Sequence, residues 1–324
     1  MKLQQLRCLA TVAQSELNIT AAAAKLHTTQ PAISKQLRLL EDSLGFQIFT
    51  RRGRLLAKVT APGERVIECA TRILREVQNI KGISTEYKDE GAGTLSIGTT
   101  HTQARYVLPS VIKAFRERYP KVQLNLLQGT SEQIAEMSRT GRVELAITAG
   151  APALFERLVL LPCYRWHRQV IVPRDHPLAQ VKKLSLQQLA EYPLITYSAS
   201  SGRPSSLLQA FEARDLRPHI ALAARDADVI KTYTRLGIGV GIVANMALDE
   251  VRDADLVVLE AAHLFPAQLT WIGFDRSYLP RQYVYDFIAL LAPHLSRRLV
   301  DRARDTHSQA ETDALLIDVE LPQR

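Results

Sequence analysis

The chain has 324 residues, of which 46% are hydrophobic, and it carries a net charge of +8 at neutral pH. These values indicate a globular protein with room for two or three domains and exclude an intrinsically disordered chain. No apolar run reaches the roughly 18 residues of a membrane span, and the first residues lack a clean signal-peptide core. The three cysteines are far apart in sequence, so we expect no disulfide framework and no zinc site, and a cytoplasmic location fits.

The positive charge is concentrated near the N-terminus. Residues 1–60 contain nine lysines and arginines but three acidic residues, and therefore hold six of the eight net charges. A compact basic segment of this kind is typical of a domain that binds a polyanion, although a solvated basic surface would have the same composition. Charge alone leaves both interpretations open.

Apolar periodicity predicts three helices in this basic segment. Apolar residues recur every third position from Leu3 to Val12, and an alanine-rich stretch follows. A third helix should begin after the N-cap Thr29, carry Pro31 in its first turn and end at Gly45. Its inward face is predicted to consist of Ile33, Leu37, Leu40 and Leu44.

A short hairpin rich in arginine follows the third helix and completes the pattern of a winged helix-turn-helix domain over residues 1–60, with the helix-turn-helix at about 19–38. The third helix could reach base edges, and the arginines of the wing could neutralise phosphates. An ordinary helical bundle with surface charge is the alternative. We predict that double-stranded promoter DNA is bound through Thr29, Gln30, Pro31, Ser34, Lys35, Arg38, Arg51, Arg52 and Arg54.

A long helix is predicted over residues 61–90, because Thr60 can cap it and Pro62 suits its first turn. Apolar residues in this helix recur at heptad spacing over about three repeats. They form either the seam of a helix pair between two subunits or a stripe that packs on the chain's own first domain. The stripe consists of Val66, Ile67, Ala70, Ile73, Leu74, Val77 and Ile80.

Strand and helix patterns alternate over residues 91–300, which predicts an α/β fold. About 200 residues are more than a single lobe needs, so we expect two lobes separated by a cleft. Lobe I should comprise about 91–163 and 267–295, and lobe II about 164–266. The mostly polar residues 301–324 are predicted to form a C-terminal tail, in which the stretch TDALLIDVELP could still form a short packed segment.

A cluster of small polar residues follows the first strand of this body. A strand that ends where a helix begins offers free backbone N–H groups to an anion. Thr100, Thr102 and Gln103 add neutral donors, without a nearby carboxylate or thiol. Such a set can bind a carboxylate or sulfate without performing chemistry.

Sequence motifs of common enzymes are absent: the chain contains no Gly-x-Ser-x-Gly, no P-loop and no zinc-ligand spacing. We therefore expect no catalytic residue, no metal and no cofactor. An enzyme with an appended DNA-binding head and a transport-type binding protein remain alternatives to a ligand-responsive regulator. The basic head and the lack of a signal peptide speak against the transport protein.

The stretch TAAAAKLHTTQPAISKQLRLLEDSLGFQIFTR resembles the N-terminal signature of the LysR-type transcriptional regulators. The stretches TTHTQARYVLPSVIKAFRERYP, LVLLPCYRWHR, DADVIKTYTRLGIGVG and IDVELP resemble the CysB-like, sulfur-assimilation branch of that family. The resemblance implies a tetramer built on the linker helix and an effector module like a periplasmic binding protein. It further implies activation of genes for sulfate uptake and cysteine synthesis, with N-acetylserine or O-acetylserine as inducer. Sulfate or thiosulfate could occupy the same site, and RNA polymerase would be a further partner.

The same resemblance assigns effector contacts to Thr100, Thr102 and Gln103. Relatives carry Thr-Gly-Arg across the cleft, where this chain has Ser201 followed by glycine and arginine. They also carry a hydroxyl at the position of Ala149, whereas here the hydroxyl is on Thr148. One step along a strand turns a side chain to the other face, so Thr148 either contacts effector or faces away from the pocket. The alternative that this chain is a family member that senses a different small anion therefore remains open.

Overall fold

The computed structural model describes residues 1–53, 55–88, 91–150, 152–198 and 205–324, with the backbone alone for residues 81–88. It comprises an N-terminal head, a long helix and two α/β lobes. This is the predicted fold class, an N-terminal winged helix-turn-helix followed by a linker helix and a two-lobed module. Within the described ranges, no helix has the length and apolar character needed to cross a membrane.

The head consists of three helices and a two-stranded wing: α1 (Leu3–Gln14), α2 (Ile19–Lys25), α3 (Gln30–Leu44), β1 (Phe49–Arg52) and β2 (Leu55–Val59). Asn18 caps α2, and Thr29 caps α3 by accepting a hydrogen bond from the Ala32 backbone nitrogen. Gly45 ends α3 with a φ of +77°, a conformation that strains other residues. The predicted inward face of α3 is confirmed, because Ile33, Leu37 and Leu40 lie in the head's core with Leu6, Leu9 and Val12.

The linker helix, α4 (Ala61–Lys88), divides its apolar stripe between two environments. Ile67 and Ala70 are buried in the core of the head, and Leu74 packs beside them. Ile73 and Ile80 are 41% and 67% exposed. One part of the stripe therefore packs on the chain's own head, and the other part is free to meet a second chain.

Lobe I contains a five-stranded sheet in the order β4-β3-β5-β12-β6, in which β3, β4 and β5 are parallel and β12 is antiparallel to its neighbours. Ligands of open α/β sheets bind outside the carboxyl ends of the strands, and here those ends are Thr99, Gln128 and Ala149. The strands are β3 (Gly93–Thr99), β4 (Val122–Gln128), β5 (Leu145–Ala149), β6 (Leu158–Trp166) and β12 (Gln268–Asp275), and the helices are α5 (Leu108–Arg118), α6 (Ser131–Arg139) and α10 (Gln282–Leu291).

Lobe II contains a second five-stranded sheet in the order β11-β7-β10-β8-β9. The chain enters it from β6 at residues 166–168 and returns to lobe I between β11 and β12. The strands are β7 (Arg168–Pro173), β8 (Leu194–Tyr197), β9 (Ile220–Ala224), β10 (Val240–Ala244) and β11 (Leu256–Glu260), and the helices are α7 (Leu186–Ala190), α8 (Ser206–Glu212) and α9 (Ala227–Arg235).

The C-terminal segment, predicted as a tail, is folded onto lobe I. It forms α11 (Arg297–Arg304) and α12 (Gln309–Ala314), and the buried side chains Val300 and Ala303 of α11 join the lobe I core. The last residues then run beside β6, where the Arg165 backbone nitrogen donates to the Pro322 carbonyl at 2.9 Å. The segment therefore reaches the crossover between the two lobes.

Candidate DNA-binding head and effector cleft

The predicted reading face of α3 is open to solvent. Thr29, Gln30, Pro31, Lys35 and Arg38 are exposed and Ser34 is half-buried, on the side opposite the buried Ile33 and Leu37. The helix therefore presents amide, hydroxyl and cationic groups along one side, as a recognition helix in a major groove does.

The wing divides its arginines between two roles. Arg51 donates from Nη2 to Glu41 Oε2 at 2.6 Å. Glu41 is buried and also accepts hydrogen bonds from the backbone nitrogens of Ile48 and Phe49. Arg51 therefore ties the wing to α3, and its contact with DNA phosphate stays a prediction. Arg52 is exposed, and Arg54 lies outside the described residues.

The end of β3 leads directly into a helix. Thr100 and Thr102, which follow this strand end, are called the threonine cluster below. Helical backbone begins at residue 101, and the Thr100 carbonyl accepts the first intrahelical bond, from the Ala104 nitrogen at 3.0 Å. A π-helical turn over Gln103–Val107 precedes α5. Such wide turns are uncommon and occur often at functional sites. The predicted arrangement, a strand that ends at a helix start beside hydroxyl groups, is therefore present.

Gln103 lies inside the protein rather than facing an open cleft. It is 2% exposed; its Nε2 donates to Thr270 Oγ1 at 3.2 Å, and its Oε1 accepts from the Tyr164 hydroxyl. Burial raises the pKa of Tyr164, which keeps its hydroxyl protonated as the donor. Gln103 is therefore part of the floor of the cleft with partners within lobe I, and its role as a donor to effector stays a prediction.

Thr102 faces lobe II. Its side chain lies beside the Tyr197 hydroxyl, which accepts a hydrogen bond from the Ala244 backbone nitrogen at 3.2 Å. Burial raises the pKa of Tyr197, so that this phenol is neutral at physiological pH. Thr102 and Tyr197 therefore bring the two lobes into contact at the cleft.

Thr148 and Ser201 are the other two predicted effector contacts. The Thr148 hydroxyl lies 3.1 Å from the Ser131 hydroxyl at the start of α6. Its neighbour Ala149 pairs with Thr270, which marks the face that Gln103 contacts. Thr148 therefore points away from the cleft, since neighbouring residues of a strand face opposite sides. Ser201 lies outside the described residues.

Arg168, at the start of β7, was missed by sequence reasoning. Its guanidinium lies 6.0 Å from the ring of Trp166 and 5.9 Å from that of Phe265, and Nη2 donates to Ser206 Oγ at 3.0 Å. Burial lowers its pKa to about 10, so it stays charged at neutral pH. The sequence pattern that could have revealed it is the two-residue spacing of Arg168, Val170 and Val172, because this spacing places all three on the inward face of the strand.

Three donors around the cleft are buried without an acceptor among the residues that the structure describes. They are Thr99 Oγ1 at the end of β3, Trp166 Nε1 at the crossover and Arg168 Nη1. Buried donors in folded proteins normally have a partner, and each unpaired one costs about 1–3 kcal/mol. The cleft therefore offers these buried donors to a ligand that is rich in hydrogen-bond acceptors.

A second contact between the lobes closes the outer side of the cleft. Asp228 in α9 forms an ion pair with Arg105 and accepts a hydrogen bond from the Tyr106 hydroxyl. Although burial raises the pKa of Asp228, the hydrogen bonds from Tyr106 and Lys231 lower it below its usual value. Asp226 caps α9 by accepting a hydrogen bond from the Asp228 backbone nitrogen.

The linker helix contacts lobe I through polar groups. Arg75 forms an ion pair with Asp275 at the end of β12, and Asn79 Nδ2 donates to the Ser277 carbonyl at 2.9 Å. Gln14 of the head also donates to the Thr140 carbonyl. These contacts fix the head and the linker helix relative to the lobe that forms the cleft.

Two family models match the chain. The bacterial regulatory helix-turn-helix model of the lysR family matches residues 3–64, and the LysR substrate binding domain model matches residues 88–296. The chain is a LysR-type transcriptional regulator. The resemblance stated from the sequence is thereby confirmed.

Curated relatives match this LysR-type regulator over nearly its whole length. It is 46% identical to the HTH-type transcriptional regulator CysB of Haemophilus influenzae over 321 residues, which cover 99% of each chain. It is 41% identical to the HTH-type transcriptional regulator cbl of Escherichia coli over 313 residues, 97% of this chain and 99% of the relative.

Solved structures share the fold. The cofactor-binding domain of the Cbl transcriptional regulator aligns with 66% of this chain and 95% of its own, at a TM-score of 0.63 and 42% identity. A full-length OxyR variant from Pseudomonas aeruginosa aligns with 90% of this chain and 97% of its own, at a TM-score of 0.71 and 22% identity. The second likeness concerns the fold alone.

Proposed function

We propose that this LysR-type regulator activates genes for sulfate uptake and cysteine synthesis when an acetylserine binds in the cleft between its lobes. The unpaired buried donors at Thr99 and Trp166 are the observation that carries the effector part of this proposal. The full-length similarity to CysB and cbl supports the sulfur-related genes as targets. The regulator acts by binding and not by catalysis.

An acetylserine suits the cleft because it combines a carboxylate with a carbonyl acceptor. The hydroxyl groups of Thr100 and Thr102 and the backbone at the start of the following helix supply neutral donors at the strand end. Sulfate and thiosulfate present the same kind of acceptors in a smaller volume. All four molecules are therefore candidates for one site.

A different small anion as effector is the second candidate, and the position of Thr148 favours it. Its hydroxyl contacts Ser131 on the far side of β5, and the cleft side of that strand carries the methyl group of Ala149. The cleft thus has one donor fewer at this strand than the pattern of relatives implies. An effector with an apolar group at this point would fit better than one with an oxygen.

Effector binding is proposed to act through closure of the lobes. A ligand shifts a protein between two states only by its difference in affinity for them, and a molecule that contacts both lobes favours the closed state. The linker contacts at Asp275 and Ser277 carry that change to the DNA-binding head. We further propose a tetramer, in which Ile73 and Ile80 meet a second linker helix, and contact with RNA polymerase at the promoter.

Isothermal titration calorimetry of the full chain with N-acetylserine, O-acetylserine, sulfate and thiosulfate tests the effector. In parallel, fluorescence anisotropy should measure binding to promoter fragments of sulfate-uptake and cysteine-synthesis genes, with and without each compound. We expect at least one acetylserine to bind and to change promoter binding or transcription in vitro. If none of the four compounds binds, the effector assignment is wrong, whereas an effector that binds without any change at these promoters refutes the target genes.

A further inference from the structure

Arg168 is an arginine whose charge no acidic side chain balances among the described residues. It is 8% exposed, and its only side-chain hydrogen bond in that part of the chain is the one to the neutral Ser206. Its Nη1 has no partner there, and no carboxylate contributes to its pKa. Residues 199–204, which precede α8, contain no acidic residue in the sequence. A buried arginine in proteins is almost always paired, so this arrangement calls for an external anion.

The position of Arg168 places that anion in the effector cleft. Trp166, whose ring lies beside the guanidinium, ends the strand of lobe I that leads into lobe II, and its Nε1 is also unpaired among the described residues. Tyr197 is close enough to Arg168 to affect its pKa, and it lies beside Thr102 on the opposite lobe. Ser206, the partner of Nη2, contacts Gln268 at the start of β12. Arg168 therefore lies where both lobes meet.

We propose that Arg168 is the specificity-determining residue that selects a fully charged effector, by pairing its free Nη1 with a carboxylate or sulfur-oxyanion oxygen. The inference rests on the proposed function and deepens it. The neutral donors of the threonine cluster bind any ligand that carries a hydrogen-bond acceptor, whether or not that ligand is charged. A guanidinium held by Ser206 and two aromatic rings is already oriented, so little side-chain entropy is lost on binding. The ligand-free protein bears the cost of the unbalanced charge, and the effector removes it.

The test compares charged probes with neutral ones of the same shape. Calorimetry of the full chain should use N-acetylserine against N-acetylserinamide, and sulfate against dimethyl sulfone. The two pairs distinguish a carboxylate ligand from a sulfur oxyanion. The variants are Arg168→Gln, which removes the charge, and Arg168→Lys, which keeps the charge without the planar fork. Arg165→Gln, an exposed arginine three positions earlier, is the matched control for net charge.

We expect the parent and Arg165→Gln to bind at least one charged probe about tenfold or more tightly than its neutral partner. In Arg168→Gln this preference should disappear, and Arg168→Lys should retain part of it. The melting temperature of ligand-free Arg168→Gln should equal or exceed that of the parent, because an unbalanced buried charge is removed. A merely structural arginine would instead give a lower melting temperature and an equal loss for charged and neutral probes.

The outcomes separate this inference from the proposed function. If the parent binds a charged probe and Arg168→Gln keeps the full preference for it over the neutral partner, Arg168 does not select charge, and the effector proposal stands. If the parent binds neither N-acetylserine nor sulfate, the Arg168 assignment is overturned, whereas the effector proposal falls only if O-acetylserine and thiosulfate also fail to bind. A folded Arg168→Lys with no preference would also refute the assignment, even if Arg168→Gln failed to fold.

Discussion

Arg75 in the linker helix forms an ion pair with Asp275, which ends the same strand, β12, that carries Thr270 in the floor of the cleft. Thr270 accepts a hydrogen bond from Gln103, beside the threonine cluster. A single strand therefore connects the effector cleft with the helix that bears the DNA-binding head. A rigid element whose two ends contact both sites is a physical route for coupling between them.

Asp275→Asn should uncouple the two sites. Effector affinity measured by calorimetry should stay within about twofold of the parent, whereas the effector-dependent change in promoter binding should fall, because typical coupling energies are about 1–3 kcal/mol. Asp286→Asn, at an acidic residue of lobe I that pairs with Arg118, is the matched control and should leave the effector response intact. An unchanged response in Asp275→Asn would contradict this route.

The same ion pair predicts a pH dependence of stability. Burial raises the pKa of Asp275, but hydrogen bonds from Ser277 and the charge of Arg75 lower it below its ordinary value of 3.8. A carboxylate with a lowered pKa stabilises the fold fully above its unfolded-state pKa and loses this contribution as the pH falls through its folded-state pKa. Asp275→Asn should therefore lower the free energy of unfolding by about 1–2 kcal/mol at pH 7. In chemical denaturation, the difference from the parent should vanish in strongly acidic buffer.

Substitutions in the wing should distinguish DNA contact from internal support. Arg52→Ala should weaken binding to all DNA sequences and reduce the slope of log affinity against log salt by about one, because one phosphate contact is lost. Arg51→Ala should in addition lower the melting temperature of the head, since Glu41 is left buried without its partner. Gln30→Ala should change base preference with little effect on the salt slope. Salt-independent binding by the parent would contradict the electrostatic basis of these expectations.

Charges placed on the linker helix should separate assembly from folding. Ile80→Glu adds a charge at an exposed position, so it should shift the mass distribution in analytical ultracentrifugation toward smaller species without loss of thermal stability. Leu74→Glu should shift the mass distribution toward smaller species and also lower the thermal stability, because Leu74 packs against the head's own core. Leu55→Glu, exposed in the wing, is the control. An unchanged assembly in Ile80→Glu would show that this part of the stripe is not the seam.

Gln103→Ala should reduce effector affinity and fold stability together. The substitution leaves the buried hydroxyl groups of Thr270 and Tyr164 without their partner, which costs about 1–3 kcal/mol. Tyr164→Phe removes one of these bonds and should have a smaller effect on both quantities. Loss of affinity without any loss of stability would instead indicate that Gln103 contacts the effector directly.

Local patterns were sufficient to predict the head and the alternating lobes. Caps at Asn18 and Thr29, the proline after Thr29 and the stop at Gly45 are determined by neighbours within a few residues. The periodicity of apolar residues likewise depends on local geometry alone. These features could therefore be predicted without knowledge of the tertiary structure.

The roles of individual polar side chains could not be predicted in this way, because their partners are distant in sequence. Gln103 is committed to Thr270, 167 positions away, and Arg75 pairs with Asp275 across 200. Arg51 and Arg52 are adjacent and alike in sequence, yet only the first meets the buried Glu41. The face of Thr148 depends on strand register, and the pairing of Ala149 with Thr270 gives its orientation.

The central claim is that a small anion binds at the threonine cluster in the cleft, and calorimetry with N-acetylserine tests it most directly through Thr100→Ala. Thr94→Ala is the control, since Thr94 is exposed at the opposite end of the same strand. We predict that Thr100→Ala lowers affinity about tenfold or more, as expected for a lost hydrogen bond to a charged group, and that Thr94→Ala binds like the parent. Parent-like affinity in Thr100→Ala would contradict the claim and place the effector elsewhere.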